Sequence, residues 1–401
     1  MLNNTNATVM PAARTNTVKS FIAMEILART KKLEQDGASV IHLELGEPDF
    51  ETPPSIIAAA KNALDNGFTH YTVALGDQAL REAIARRYAI RYGVSVSPER
   101  VVIFPGSSPA LGMLFSFLLD PGDEVILSNP CYPCYPNFTR FAGGVPVEVA
   151  TCEEEGFLYR PQEVRQHLSP RTKAIMLNSP CNPTGIIMDS SRMRELAALG
   201  VLIISDEIYH GLTYGDAEEH SILEFTDNAV VVNGFSKVWA MTGWRLGYLI
   251  MPEYLVESMN RLMQNFYLCT NAAVQQAGII ALDGSCDATI ADYSARYDKR
   301  RRYLLEALPE LGFNIPVEPR GAFYMLVNAR HLGTDSLRLA YDILEKAHVG
   351  VTPGIDFGTQ SEGYLRISYA NSLTNLQEAV RRLGKYIAER GSRSPHKVHE
   401  M

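Results

Sequence analysis

The sequence predicts an α/β fold, with a large domain holding a mostly parallel sheet between helices and a smaller α+β domain beside it. Three observations lead there. Strand and helix patterns alternate from about Thr52 to Leu282 without internal repeats, as in an open sheet covered on both faces. Within that stretch the strands read as short continuous apolar runs, which suits strands buried on both sides. From Leu304 to Ala388 the alternation is less regular, and this part is expected to join the N-terminal segment in the second domain. The expected division is residues 1–50 as arm and small-domain segment, 51–290 as large domain, 291–390 as small domain and 391–401 as a frayed polar tail. The boundary falls in the helical stretch around Tyr293 to Leu308, whose charged run Arg296 to Arg302 reads as a solvated helix face.

Taken in chain order, the first telling element is Val101-Val102-Ile103-Phe104, a strand followed by Pro105-Gly106-Ser107-Ser108 and a helix start with Pro109 in its first turn. Leu111, Leu114, Phe115 and Leu118 recur at helical spacing, so that helix has a face to bury. Its free backbone N–H groups suit an anion, although a glycine-serine turn alone is weak evidence. Cys131-Tyr132-Pro133-Cys134 comes next, between a strand and a helix. A thioredoxin-like redox motif has that placement, but the strand-helix series is too long for such a domain. Zinc would need a second pair of ligands, and none accompanies this one.

Ala174-Ile175-Met176-Leu177 then runs into a turn set by Pro180, Pro183 and Gly185. Such a turn can hold the Asn182 amide rigidly, or serve structure alone. Val201-Leu202-Ile203-Ile204 delivers Asp206 to the carboxyl end of a strand, with Tyr209 three residues on. An acid there can keep a pyridine nitrogen protonated and make the ring an electron sink, with Tyr209 donating to its phenolic oxygen; a helix N-cap is the ordinary alternative.

Ala229-Val230-Val231-Val232 leads to Lys237, again at the end of the sheet where open α/β folds bind ligands. A free lysine amine, with a pKa of about 10.4, is a poor nucleophile at neutral pH unless burial or nearby cations disfavour its charge. Held as a Schiff base to an aldehyde, it escapes that penalty. Arg245 lies eight residues later between Gly243 and Gly247, and its planar fork suits a phosphate. Singly, these are a surface lysine and a surface arginine. Together they suit an aldehyde that bears a phosphate, namely pyridoxal 5′-phosphate.

These segments, in this order and with Gly46-Glu47-Pro48-Asp49-Phe50 upstream, resemble the class I/II aminotransferases of fold type I from about Val18 to Ala388. The resemblance implies that Lys237 is the Schiff-base lysine and proton carrier, that Asp206 partners the pyridinium, and that Tyr209 and Asn182 donate to its phenolic oxygen. By the same likeness Ser107, Ser108, Ser236 and Arg245 contact the phosphate, and Tyr132 covers the ring. It also implies a homodimer in which Tyr71 reaches the partner's cofactor phosphate, and an α-carboxylate grip made by Arg366, in Tyr364-Leu365-Arg366-Ile367-Ser368, with the Gly46 backbone. Taken alone, Arg366 also fits the surface of an edge strand. Gly321-Ala322-Phe323 and Thr352-Pro353-Gly354 resemble segments that line the mouth of the site. The chain departs from the pattern at Ser108-Pro109, where relatives often carry lysine or glutamine, and at Gly234, where many carry a phosphate-binding serine.

The implied reaction moves an amino group from an L-amino acid to a 2-oxo acid by a ping-pong route. Phe21, Ile22 and Ala23 are apolar where the N-terminal segment of this family meets substrate, which points to neutral or aromatic side chains. An aspartate-specific enzyme and a β-lyase on the same scaffold are the alternatives. A ligand-sensing DNA-binding regulator lacks room before Gly46 for its DNA-binding segment.

A net charge of −8, with no basic run, argues against nucleic acid. Met1 to Thr17 holds no apolar core of the kind a secretory signal needs, and no run reaches transmembrane length. Six cysteines in so long a chain make no disulfide framework, so a cytoplasmic enzyme without metal is expected.

Overall fold

The computed structural model describes residues 9–392, with side chains through residue 390. After a short 3-10 turn at Ala13–Thr17 come helix α1 (Ile22–Gln35), the two-residue strand β1 (Ile41–His42), and helices α2 (Pro54–Asp65) and α3 (Gln78–Tyr92). Asp77 caps the start of α3 by accepting from the Ala79 N–H, and Gly93, in the left-handed region, ends it.

Seven strands then build the central sheet. They are β2 (Val101–Phe104), β3 (Glu124–Asn129), β4 (Val145–Ala150), β5 (Thr172–Asn178), β6 (Leu202–Asp206), β7 (Ala229–Gly234) and β8 (Gly247–Ile250). Helices α4 (Ser107–Leu118), α5 (Cys134–Phe141), α6 (Pro161–Gln166) and α7 (Ser190–Ala197) lie between them in sequence. The strand order is β2-β8-β7-β6-β5-β3-β4, and β8 runs antiparallel to both its neighbours while the others are parallel. Because side chains alternate across a strand, Val230 and Val232 of β7 pack with Leu111 and Phe115 of α4 on one face, and Ala229 and Val231 join the cluster on the other. The continuous apolar runs are thus two buried faces read in one line. Register sets Asn178, the last residue of β5, beside Asp206, the last of β6.

Beyond the sheet run α8 (Glu253–Phe266), α9 (Ala272–Ala281) and the long α10 (Asp287–Glu310). A second, antiparallel sheet has the order β11-β12-β9, from β9 (Tyr324–Asn328), β11 (Thr352–Pro353) and β12 (Tyr364–Ser368). The short β10 (Val349–Gly350) pairs with β1 in parallel, and α11 (Ser336–Ala347) and α12 (Leu373–Ser392) complete the described chain.

Several expectations change. The charged run of α10 is a solvated face only in part, for Arg296, Lys299 and Arg302 are exposed but Arg300 and Arg301 are buried. Arg300 holds Asp49 with two bonds of 2.7 and 2.8 Å, and Arg301 pairs with Asp298 and Glu318. Asp49 and Glu318, outside the helix, helped make these charges buriable, and of the three partners spacing within the helix reveals only Asp298. The run Gly321-Ala322-Phe323-Tyr324-Met325-Leu326-Val327 reads in the sequence as one strand, but the strand starts only at Tyr324, since Ala322 has a φ of 56° and Gly321 turns against Pro180. Helix α12 continues to Ser392, so the expected tail begins as helix; residues 393–401, like 1–8 of the arm, lie outside the described residues.

Candidate active site

A cavity of about 570 Å³ opens where the carboxyl ends of β5, β6 and β7 face the second sheet. Lys237 enters it three residues after β7, and its Nζ donates to the Gly46 carbonyl at 2.6 Å. Burial pushes this amine down to about 8, against the pull of Glu47. Asp206 faces the same space. Burial pushes its carboxyl up to about 6, although Oδ2 accepts from the Tyr135 hydroxyl at 2.7 Å and Oδ1 from the Ile208 N–H at 3.1 Å. Asn178 braces this corner, donating to the Asp206 carbonyl at 3.0 Å and accepting from the Asn182 N–H at 2.8 Å. The Tyr209 hydroxyl meets that of Tyr324 at 2.8 Å.

At another side lie Ser107 and Ser108, in the first turn of α4, with Ser236 and Arg245. Glycines allow this group to assemble. A Cβ on Gly106, where φ is 105°, would sit 2.3 Å from Arg245 Nη2, and one on Gly247 would sit 2.6 Å from the Ser107 N. Gly234 also has a local reason, because a Cβ there would sit 3.0 Å from the Leu246 carbonyl, just before the adjoining strand β8.

Arg366 closes the opposite side from β12, the middle strand of its sheet, and is buried, so the edge-strand alternative fails. Its Nη1 donates to Asn182 Oδ1 at 3.0 Å, and Nη2 donates to the Glu44 carbonyl and to Thr352 Oγ1. The guanidinium lies 4.4 Å from the Tyr324 ring centre, and its buried Nε has no partner among the described residues. Tyr132 walls the cavity, edge-on to Phe21 at 5.9 Å.

Over residues 38–383 the sequence matches the family described as aminotransferase class I and II. This chain belongs to the class I and II aminotransferases. Among its relatives, the (5-formylfuran-3-yl)methyl phosphate transaminase of Methanocaldococcus jannaschii is 39% identical over 92% of this chain and 97% of its own. Aromatic-amino-acid aminotransferase 2 of Thermococcus litoralis is 35% identical over 89% and 94%. The solved aspartate aminotransferase from Thermus thermophilus with maleate superposes with a TM-score of 0.90 at 38% identity, covering 94% of this chain and all of that one. The fold is therefore fold type I, and the aminotransferase moves an amino group from an amino acid to a 2-oxo acid by the ping-pong route general to its family. The relatives are named for transamination, so the β-lyase alternative is not favoured. The family depends on pyridoxal 5′-phosphate.

The aminotransferase brings Gly46, Ser107, Ser108, Tyr132, Asn182, Asp206, Tyr209, Ser236, Lys237, Arg245 and Arg366 to this one cavity. Tyr71 is not among its lining residues; it is 81% exposed. Ile22 points elsewhere, and from the two mouth segments neither Gly321-Ala322-Phe323 nor Thr352-Pro353-Gly354 lines the cavity; Tyr324 does. Sequence reasoning missed Tyr135, Asn178 and Tyr324. Asn178 stands at the end of an expected strand, as Asp206 does, and that position was its signal. Tyr135 had none, since its partner is 71 residues away. Cys131 and Cys134 are free, and burial pushes both thiols up, which disfavours the thiolate a redox motif needs. Among the described residues no His, Cys, Asp and Glu cluster suits a metal, and no helix is long and apolar enough to cross a membrane.

Proposed function

We propose that this chain uses pyridoxal 5′-phosphate to transfer the amino group of an L-amino acid with a neutral or aromatic side chain to a 2-oxo acid. The observation that carries the reading is that Lys237, Asp206, Arg245 and Arg366 line one cavity. The donor set fits the cofactor: hydroxyls, a helix N-terminus and a guanidinium for its phosphate, a buried carboxylate for its ring nitrogen, and a lysine for its aldehyde. Bound there, it supplies a carbonyl carbon for the amine and a ring that stabilises negative charge on the substrate Cα.

Each side chain then has a task. Ser107, Ser108, Ser236 and Arg245 hold the phosphate, and Tyr132 covers a face of the ring. Asp206 keeps the ring nitrogen protonated, because a carboxylate stripped of water gains most from an adjacent cation. Tyr209 donates to the phenolic oxygen, as does Asn182, whose Oδ1 is engaged by Arg366 and whose Nδ2 is the donor end. Lys237, with its amine pushed towards neutrality, would take the Cα proton and carry it towards the carbon that the cofactor would present. Arg366, with the Gly46 backbone, orients the substrate α-carboxylate.

Phe21, Ala23, Met24 and Leu27 give the cavity an apolar wall. Its lining cations among the described residues are Lys237, Arg245 and Arg366, all assigned above, so an aspartate-specific enzyme would need a further cation from a partner subunit. In this reading residues 51–290 hold the cofactor, and 291–390 with the N-terminal 50 cover it, the two joined through α10. The enzyme is a cytoplasmic homodimer with Tyr71 at the partner's phosphate, and its six free thiols suit a reducing compartment.

The test mixes the purified enzyme with single amino acids and no oxo acid. One equivalent of oxo acid per site without ammonia is expected, and accumulating ammonia would mean elimination instead. Lys237→Ala should abolish turnover; a fully active variant would sink the assignment.

A further inference from the structure

Residues 19–23 are held to the protein at two points outside the cavity. On α5, buried Asn137 accepts from the Lys19 N–H at 2.9 Å and donates to the Lys19 carbonyl at 3.0 Å. In the turn after β11, Asp356 accepts from the Ile22 and Ala23 N–H groups at 3.1 Å each, one bond per carboxylate oxygen. Those N–H groups open α1 and have no partner within the helix. Phe21, at the N-cap position, offers no side-chain cap, so the cap comes from 334 residues away.

Between the two attachments lies Phe21, set against Tyr132 and lining the cavity, with Ala23, Met24 and Leu27 of α1 following. The turn that carries Asp356 also reaches the remaining walls. Phe357 packs 5.1 Å from the Arg366 guanidinium, and its carbonyl accepts from the Cys131 N–H at 2.9 Å, next to Tyr132. A substrate fixed by its carboxylate at Arg366 therefore meets a side-chain wall whose distance depends on Asn137 and Asp356, neither of which lines the cavity.

We propose that Asn137 and Asp356 are positioning residues that set side-chain selectivity by clamping the 19–23 strap over the substrate. The inference rests on the cavity being the amino-acid site proposed above.

The test compares wild type, Asn137→Ala and Asp356→Asn as holoenzymes, with alanine, leucine, phenylalanine and aspartate as donors. Amide hydrogen exchange of the segment Phe21 to Leu27 is followed in parallel. Asn at 356 keeps the shape but turns an NH2 towards one of the two backbone donors. Exchange should speed up about tenfold or more, as for a locally released helix end. The kcat/KM ratio of phenylalanine to alanine should change about tenfold, through KM, with kcat for alanine held within about twofold. Equal losses for every donor, an unchanged ratio, or unaltered exchange in both variants would overturn the clamp. The wild-type profile tests the underlying reading by itself: a wild type inactive with all donors sinks both, whereas active variants with an unaltered ratio sink only the clamp.

Discussion

Asp206, proposed above as the partner of the ring nitrogen, is costly to the fold. Its carboxyl is pushed up to about 6 by burial, against about 3.9 for an unfolded aspartate. Between those values the folded chain binds more protons than the unfolded one, so the cofactor-free enzyme loses stability as pH rises from about 4 to 6, and the loss is complete at neutral pH. A cation on the ring nitrogen reverses the sign. Asp206→Asn should thus stabilise the cofactor-free enzyme by about 1–2 kcal/mol at pH 7.5, with a smaller gain at pH 5, as urea melts at the two pH values would report. The same variant should lower kcat/KM by about a hundredfold or more, since it removes a charge aimed at the reacting ring. A variant that is less stable at pH 7.5 would show that the Tyr135 and Ile208 bonds outweigh desolvation.

At the level of elements, the anion end of the site depends on β2, α4 and β8 approaching closely through Gly106 and Gly247. Gly106→Ala brings two penalties, a positive φ and a Cβ inside the Arg245 guanidinium. Gly122→Ala is its control, with a φ of 89° and nothing within 4 Å of the new Cβ. The first should weaken cofactor affinity about tenfold or more, the worth of a displaced charge-assisted bond, while the second costs only stability. Titration of the cofactor-free variants by visible absorbance separates the two. The elements of the large sheet were legible in the sequence because strands buried on both faces leave continuous apolar runs. The start of β9 and the fate of the α10 arginines were not, since Pro180, Asp49 and Glu318, all outside the local pattern, decide them.

For the whole molecule, the proposed homodimer makes Tyr71 informative. Its phenol is exposed in the single chain and does not line the cavity. Should it complete the neighbouring subunit's phosphate site, Tyr71→Phe will weaken cofactor binding about tenfold or more, the worth of one hydrogen bond to a charged group, with the sedimentation coefficient unchanged. Unchanged affinity in a dimeric variant would remove Tyr71 from the site. The Asp49–Arg300 pair ties the segment after Gly46 to α10 across 251 residues.

By itself the sequence determined the α/β class, the strand ends, and the residue types gathered there, because apolar runs, turn residues and single reactive side chains are local properties. Lys237, Asp206 and Asn182 were legible for that reason. Only the tertiary structure decided that Tyr135 braces Asp206, that Tyr324 lies under Arg366, and that α1 takes its cap from Asp356. Each is a contact between segments far apart in the chain, and burial and hydrogen-bond geometry, which no local pattern encodes, select it.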